Sequence, residues 1–207
     1  GLTLCAFGGN DGVTRFDMLG CSSRSVPPPK EVREHTIRSH RNAWLIFAST
    51  YWCNLWLSPL WLRHSLQDNP SDLHYKDGDR AVGMVKRSND FARVLCEIAQ
   101  GKESGPHAGI SSIRFYDQDL KTSIHDAKIK YDGKICRARS GAIIVDMDFL
   151  MEDIYNFEYH DAEMRKIQQE SRFVQIGNNV AFLSQESGAI VPFNWDMRFH
   201  SRKKIQH

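Results

Sequence analysis

The chain has 207 residues, room for one domain with extensions, and its 41% hydrophobic and 25% charged content excludes a wholly disordered or collagen-like protein. Its 27 basic and 25 acidic residues are interspersed and leave a net charge of +2, so the electrostatic footprint of a nucleic-acid-binding protein is missing. Cys5, Cys21, Cys53, Cys96 and Cys136 are odd in number and contain no C-x-x-C pair, which excludes a zinc ribbon and a secreted disulfide framework.

Residues 1–30 concentrate Gly8-Gly9, Asn10-Asp11-Gly12, Ser22-Ser23 and Pro27-Pro28-Pro29, and such a density of turn formers predicts an extended arm. From Glu31 to Leu66 there is no glycine and a single proline, Pro59, so one long helix disturbed near Pro59 is expected over 31–68. Between Arg41 and Arg63 no residue is charged, and Asn42 to Leu62 is long enough as a helix to match the roughly 30 Å of a hydrocarbon core.

Trp44 near one end, Trp56 and Trp61 near the other, and Trp52 between them suit membrane interfaces or a partner's surface. Thr50, Asn54 and Ser58 follow one another at intervals of four and would form one polar stripe for another helix to satisfy. A central helix of a water-soluble domain accounts for the same pattern.

An α+β domain with mainly antiparallel strands is expected over 69–193, and a basic, aromatic tail over 194–207. Asn89 to Gln100 has Phe91, Val94, Leu95 and Ile98 at helical spacing and Gly101 as a stop, and Lys102 to Gly109 reads as a loop. Asp132-Gly133 between Ala127–Tyr131 and Lys134–Arg139 predicts a hairpin. Ala142 to Asp146 reads as a buried strand, Asp148 to Gln169 as a helix, and 173–176, 180–183 and 189–193 as strands.

The apolar run Ala142-Ile143-Ile144-Val145 leading into Asp146-Met147-Asp148 resembles the first motif of haloacid-dehalogenase-type phosphatases and the D-x-D site of nucleotide-sugar glycosyltransferases. The resemblance covers seven residues and implies Mg²⁺ or Mn²⁺ held by Asp146 and Asp148 against a phosphate. It departs from the phosphatase pattern at Phe149 and Leu150. In the alternative, Asp148 caps the following helix and Asp146 lies on the surface. His160 and Glu163, with Glu152 or Asp153, are a second conceivable ligand set, against which stands a solvated helix face. His35, His40 and His107 form no metal-binding spacing.

With no catalytic motif in view, the expected function is that of a non-enzymatic accessory or structural subunit, without a cofactor, among the protein subunits of a larger assembly. A membrane-bound complex, such as one of the mitochondrial inner membrane, is the preferred setting, and a lipid bilayer the expected second contact; a cytoplasmic location is the alternative. Two other readings stand beside it: a divalent-metal-dependent phosphoryl or glycosyl transfer enzyme using Asp146 and Asp148, and a viral structural or matrix-like protein.

Overall fold

A computed structural model describes residues 30–138, 141–161 and 172–205. The expected arm, apart from Lys30, lies outside them. Five strands form one sheet in the order β1-β5-β4-β3-β2: β1 (Leu73–Lys76), β2 (Gly105–Arg114), β3 (Asp126–Arg137), β4 (Ile143–Tyr155) and β5 (Phe193–Ile205). β1 runs parallel to β5 and every other neighbouring pair is antiparallel. The α+β class with mainly antiparallel strands is as expected.

Strict alternation decides which way this sheet faces. Val145, Met147, Phe149 and Met151 of β4 and Phe193, Trp195, Met197 and Phe199 of β5 are buried, while Asp146, Asp148, Asp196, Arg198 and His200 point to the other side. The buried face is covered by α2 (Leu57–Ser65), α3 (Arg80–Arg87), α4 (Asn89–Ala99) and α5 (Gln118–Ser123), which contribute Trp61, Val82, Phe91, Leu95 and Leu120 among others to one core cluster. The helix expected at Asn89 to Gln100 is α4, opened by the Ser88 hydroxyl, which accepts from the Phe91 N–H. A second cluster joins Trp44 and Ala48 of α1 (Lys30–Tyr51) to Leu62, to Ala181 of α6 (Arg172–Glu186) and to Ile190.

The single long helix is two helices. The chain leaves the helical path after Tyr51 and re-enters at Leu57, so Pro59 falls in the first turn of α2, where its missing N–H costs nothing. The break is held from a distance: the buried Asp119 carboxylate accepts the backbone N–H groups of Trp56 (2.7 Å), Leu57 (2.9 Å) and Ser58 (2.8 Å) and the Ser58 hydroxyl (2.7 Å). Three helix-terminal donors that would otherwise be orphaned are thereby satisfied. No described helix is long and apolar enough to cross a membrane.

Five further expectations are corrected. β3 runs unbroken through Asp132-Gly133, because Gly133 serves close approach and not a turn: a Cβ there would lie 2.3 Å from the Asp146 carbonyl oxygen. β2 occupies most of the expected loop; Pro106 is tolerated on an edge strand, and a Cβ on Gly109 would meet the Tyr131 hydroxyl at 2.6 Å. β4 continues to Tyr155 where a helix was expected from Asp148, and residues 162–171 lie outside the described set. Residues expected as two strands around Gly177-Asn178-Asn179 form α6, and those expected as a tail form β5.

Tertiary bonds explain why α6 survives a Gly-Asn-Asn sequence that disfavours helix. Asn179 accepts the His160 N–H (2.8 Å) and donates to its carbonyl (3.0 Å), Gln175 donates to the same carbonyl, and Gln185 accepts the Phe157 N–H (3.0 Å). These amides hold the segment after β4 along the helix.

Candidate functional site

The open face of the sheet carries the polar half of each alternating strand, and the register sorts it into rows. One row runs Lys76 (β1), Arg198 (β5), Leu150 (β4), Lys130 (β3) and Ile110 (β2). The adjacent row runs His200 (β5), Asp148 (β4) and Asp132 (β3). Two cations thus face each other at Lys76 and Arg198, and two exposed carboxylates at Asp132 and Asp148. Like charges directly opposite destabilise a sheet. The two rows line a shallow concavity of about 570 Å³ that includes Lys76, Lys130, Asp132, Asp148, Arg198 and His200.

His200 is its most connected member. Its Nδ1 lies 3.0 Å from Asp148 Oδ1 and its Nε2 3.0 Å from Asp146 Oδ1, so an imidazole protonated on both nitrogens donates to both carboxylates. Asp146 is the more enclosed partner, with 17% of its side chain exposed against 82% for Asp148, and the Arg202 guanidinium stands 3.8 Å from it. Lys130 is ion-paired with Glu152, and Arg198 is 3.4 Å from Asp196, which also meets His74.

On the turn after β1, Asp77 accepts from the His200 backbone N–H (2.6 Å) and from Lys86 Nζ (2.9 Å). Partial burial alone would raise the Asp77 carboxyl, but the His200 N–H and the Lys86 ammonium outweigh it and hold the group below its ordinary value.

The sequence placed Asp146 and Asp148 at the end of a strand; they lie within β4, two residues apart on its open face, and neither caps a helix. Each meets His200, and among the described residues no group of three or more His, Cys, Asp or Glu side chains could hold a metal ion. His160 is buried and bonded to the amides of α6, far from a helical metal face, and Glu163 is outside the described residues. His107 Nε2 meets the Glu103 carbonyl at 2.9 Å. Burial lowers the pKa of His40.

The residues expected at a membrane or partner surface are distributed through the fold. Trp44 is buried and donates to Ser184 Oγ (3.0 Å); Trp61 is wholly buried and donates to the Tyr75 hydroxyl (2.7 Å); Ser58 is buried against Asp119. Trp52 packs on Phe47, Arg80 lies 4.5 Å over the Trp56 ring, Thr50 bonds back to the Ile46 carbonyl, and Asn54 is exposed in the break. The polar stripe of Thr50, Asn54 and Ser58 does not form, because the helix stops between its first two members.

Asp132, Lys76 and Lys130 were not singled out from the sequence, and Arg198 and His200 stood out only as part of the basic tail with Arg202, Lys203 and Lys204. The signal was the unbroken alternation from Phe193 to Arg202, obscured by the basic composition of the segment.

No family model matches the chain, and no curated protein matches it. Among solved structures it is similar to truncated syringacin M, a bacteriocin from Pseudomonas syringae pv. tomato DC3000 (12% identity, TM-score 0.35, covering 72% of this chain and 60% of that one). It is also similar to PaeM, a colicin M-like bacteriocin from Pseudomonas aeruginosa (12%, 0.37, 73% and 52%), and to a second syringacin M structure (12%, 0.35, 72% and 50%). The chain therefore spans between 50% and 60% of the length of these proteins. The expectation of a non-enzymatic subunit of a membrane-bound or mitochondrial complex is corrected here: the apolar segment that carried it is broken into two helices and built into the core, and no described helix is long and apolar enough to cross a membrane.

Proposed function

We propose that the open sheet face is an acid–base site that hydrolyses a phosphate-class ester. The observation that carries this reading is His200, with a carboxylate 3.0 Å from each ring nitrogen, next to a row of cations. Arg198, Lys76 and Lys130 are suited to a phosphoryl group, the guanidinium in two-pronged fashion and the ammonium groups as point charges. Asp146 orients the ring through Nε2. Asp148, exposed and on Nδ1, is placed to take a proton from attacking water while the imidazolium gives one to the leaving oxygen, after which the proton returns from Asp148 to His200. Ester and water then become alcohol and free phosphate with no net proton change on the protein.

A second reading follows from Asp132 opposite Asp148. Two exposed carboxylates in register would be relieved by a divalent cation, which would neutralise phosphate charge and take its other ligands from substrate and water.

The test is hydrolysis of phosphomonoester and phosphodiester panels by the purified chain, with and without Mg²⁺ or Mn²⁺. His200→Gln is expected to lower turnover about 10²- to 10⁴-fold while the melting temperature stays within a few degrees. Full activity in His200→Gln would overturn the reading. Activity and thermal stability that both rise with metal, and lose that rise in Asp132→Asn, would select the second.

A further inference from the structure

β1 ends at Lys76, opposite Arg198, but β5 runs on to Ile205. The outer edge of β5 beyond Arg198 thus continues without β1 beside it, and an edge peptide left this way turns its N–H and C=O toward solvent. At His200 both are taken up by side chains. The N–H donates to Asp77 Oδ2 at 2.6 Å, the carbonyl accepts from Lys86 Nζ at 2.7 Å, and Lys86 Nζ reaches Asp77 Oδ1 at 2.9 Å, which closes a ring of three bonds around one residue.

These bonds also fix the pairing on the other side. Because the His200 peptide groups point away from β4, Asp148 and His200 form the non-hydrogen-bonded type of antiparallel pair, in which the Cα atoms approach to about 4.5 Å and the side chains come closest. That geometry sets the imidazole between Asp146 and Asp148.

The two clamping residues stand on fixed supports. Lys86 projects from α3, whose Ala81, Val82 and Val85 are fully buried, and its ammonium lies 6.0 Å from the Phe199 ring centre. Asp77 sits in a turn closed by the Asp79 N–H on the Lys76 carbonyl (3.0 Å) and the Lys76 N–H on the Asp79 carboxylate (2.8 Å), with Gly78 at φ +97°.

We infer that Asp77 and Lys86 are positioning residues for His200: they hold its peptide so that the ring is presented to Asp148 and to a ligand on the open face. This rests on the proposed role of His200, and it makes α3, on the opposite side of the sheet, part of the site's support.

The experiment compares wild type with Lys86→Met, which keeps the stem over Phe199, Lys86→Arg, which keeps both donors, and Asp77→Asn. Two readouts are taken. The first is the position and width of the His200 ring resonances without substrate, with His64, held on the Ser71 carbonyl, as the internal control. The second is phosphoester hydrolysis. Lys86→Met is expected to move and broaden the His200 signals, leave His64 unchanged, and lower kcat about 10- to 100-fold with KM within twofold. Lys86→Arg restores most of both, and Asp77→Asn resembles Lys86→Met. A purely structural edge cap would shift the melting temperature without that split between kcat and KM or that rescue. Unchanged His200 signals in Lys86→Met overturn the inference. A wild-type chain with no hydrolytic activity overturns the proposed function instead, and the resonance comparison then decides the positioning role by itself.

Discussion

Replacing Asp119 should release the start of α2 from the rest of the core although Asp119 lies outside that helix. The carboxylate is 7% exposed and receives three backbone N–H groups and one hydroxyl from Trp56, Leu57 and Ser58, all between 2.7 and 2.9 Å. A hydrogen bond to a charged group contributes about 1.5–3 kcal/mol, and breaking a buried charged network about 3–5 kcal/mol, with the individual bonds not additive. Asp119→Ala is therefore expected to cost about 4 kcal/mol, roughly 10 °C in melting temperature for a chain of this size, and Asp119→Asn, which keeps one accepting oxygen, about 2 kcal/mol. Urea unfolding at neutral pH measures both.

The pH dependence gives an independent sign. Burial raises the Asp119 carboxyl, but the N–H groups of Leu57, Ser58 and Trp56 and the Ser58 hydroxyl outweigh it, so the folded-state pKa lies below the unfolded value. A depressed carboxylate contributes stability that is fully present above its unfolded pKa of about 3.9 and is lost as pH falls through the folded value. The gap between wild type and Asp119→Asn should thus be widest near neutrality and close in acid. A gap below about 0.5 kcal/mol at neutral pH, or one that widens in acid, would refute the account of the α1–α2 break.

Two further substitutions test the packing that shapes the site. Gly133→Ala puts a Cβ 2.3 Å from the Asp146 carbonyl oxygen and 2.6 Å from the Met147 Cα, both backbone atoms, so β3 and β4 must separate. It should cost about 3 kcal/mol or more in urea unfolding and expose amides of both strands to hydrogen exchange. Tyr75→Phe removes the acceptor 2.7 Å from the indole nitrogen of the fully buried Trp61 and should cost about 1–2 kcal/mol, read from the thermal midpoint together with a shift in tryptophan fluorescence.

Where the period of the sequence was clean over several turns, the fold was legible, as in α4, whose Phe91, Val94, Leu95 and Ile98 all enter the core. The failures share a cause: a residue chosen for a contact distant in sequence was taken as local punctuation. Gly133 was read as a turn because Asp-Gly permits positive φ, yet it is needed for the approach of β4. Gly177-Asn178-Asn179 was read as a turn, yet its amides are bonded to His160. The break in the apolar helix was assigned to Pro59, yet the chain breaks ahead of it, where Asp119 offers a cap more than sixty residues further along. In the site, Asp146 and Asp148 were legible as paired carboxylates, but His200 was not, since its place between them depends on the register of β4 against β5.

The register also distinguishes this face from a sheet surface that merely meets water. Such a surface is made soluble at least cost by placing opposite charges across from one another, and part of this one does so: Lys128 stands opposite Glu152, Lys134 opposite Asp146, and Arg202 opposite Asp146. The rule is reversed at three places, Lys76 against Arg198, Asp132 against Asp148 and Glu152 against Asp196, and the first two lie beside His200. The two beside His200 fall in neighbouring rows, one cationic and one acidic, separated by the two-residue repeat of a strand, about 6.7 Å. In the function proposed above, that separation would let a phosphoryl group rest on the cations while its ester oxygen and an attacking water lie over the His200 row. The energy forgone in the cationic pair beside His200 is what a bound anion would recover, and that forgone in the acidic pair what a cation would recover, at the place where His200 has its two carboxylates.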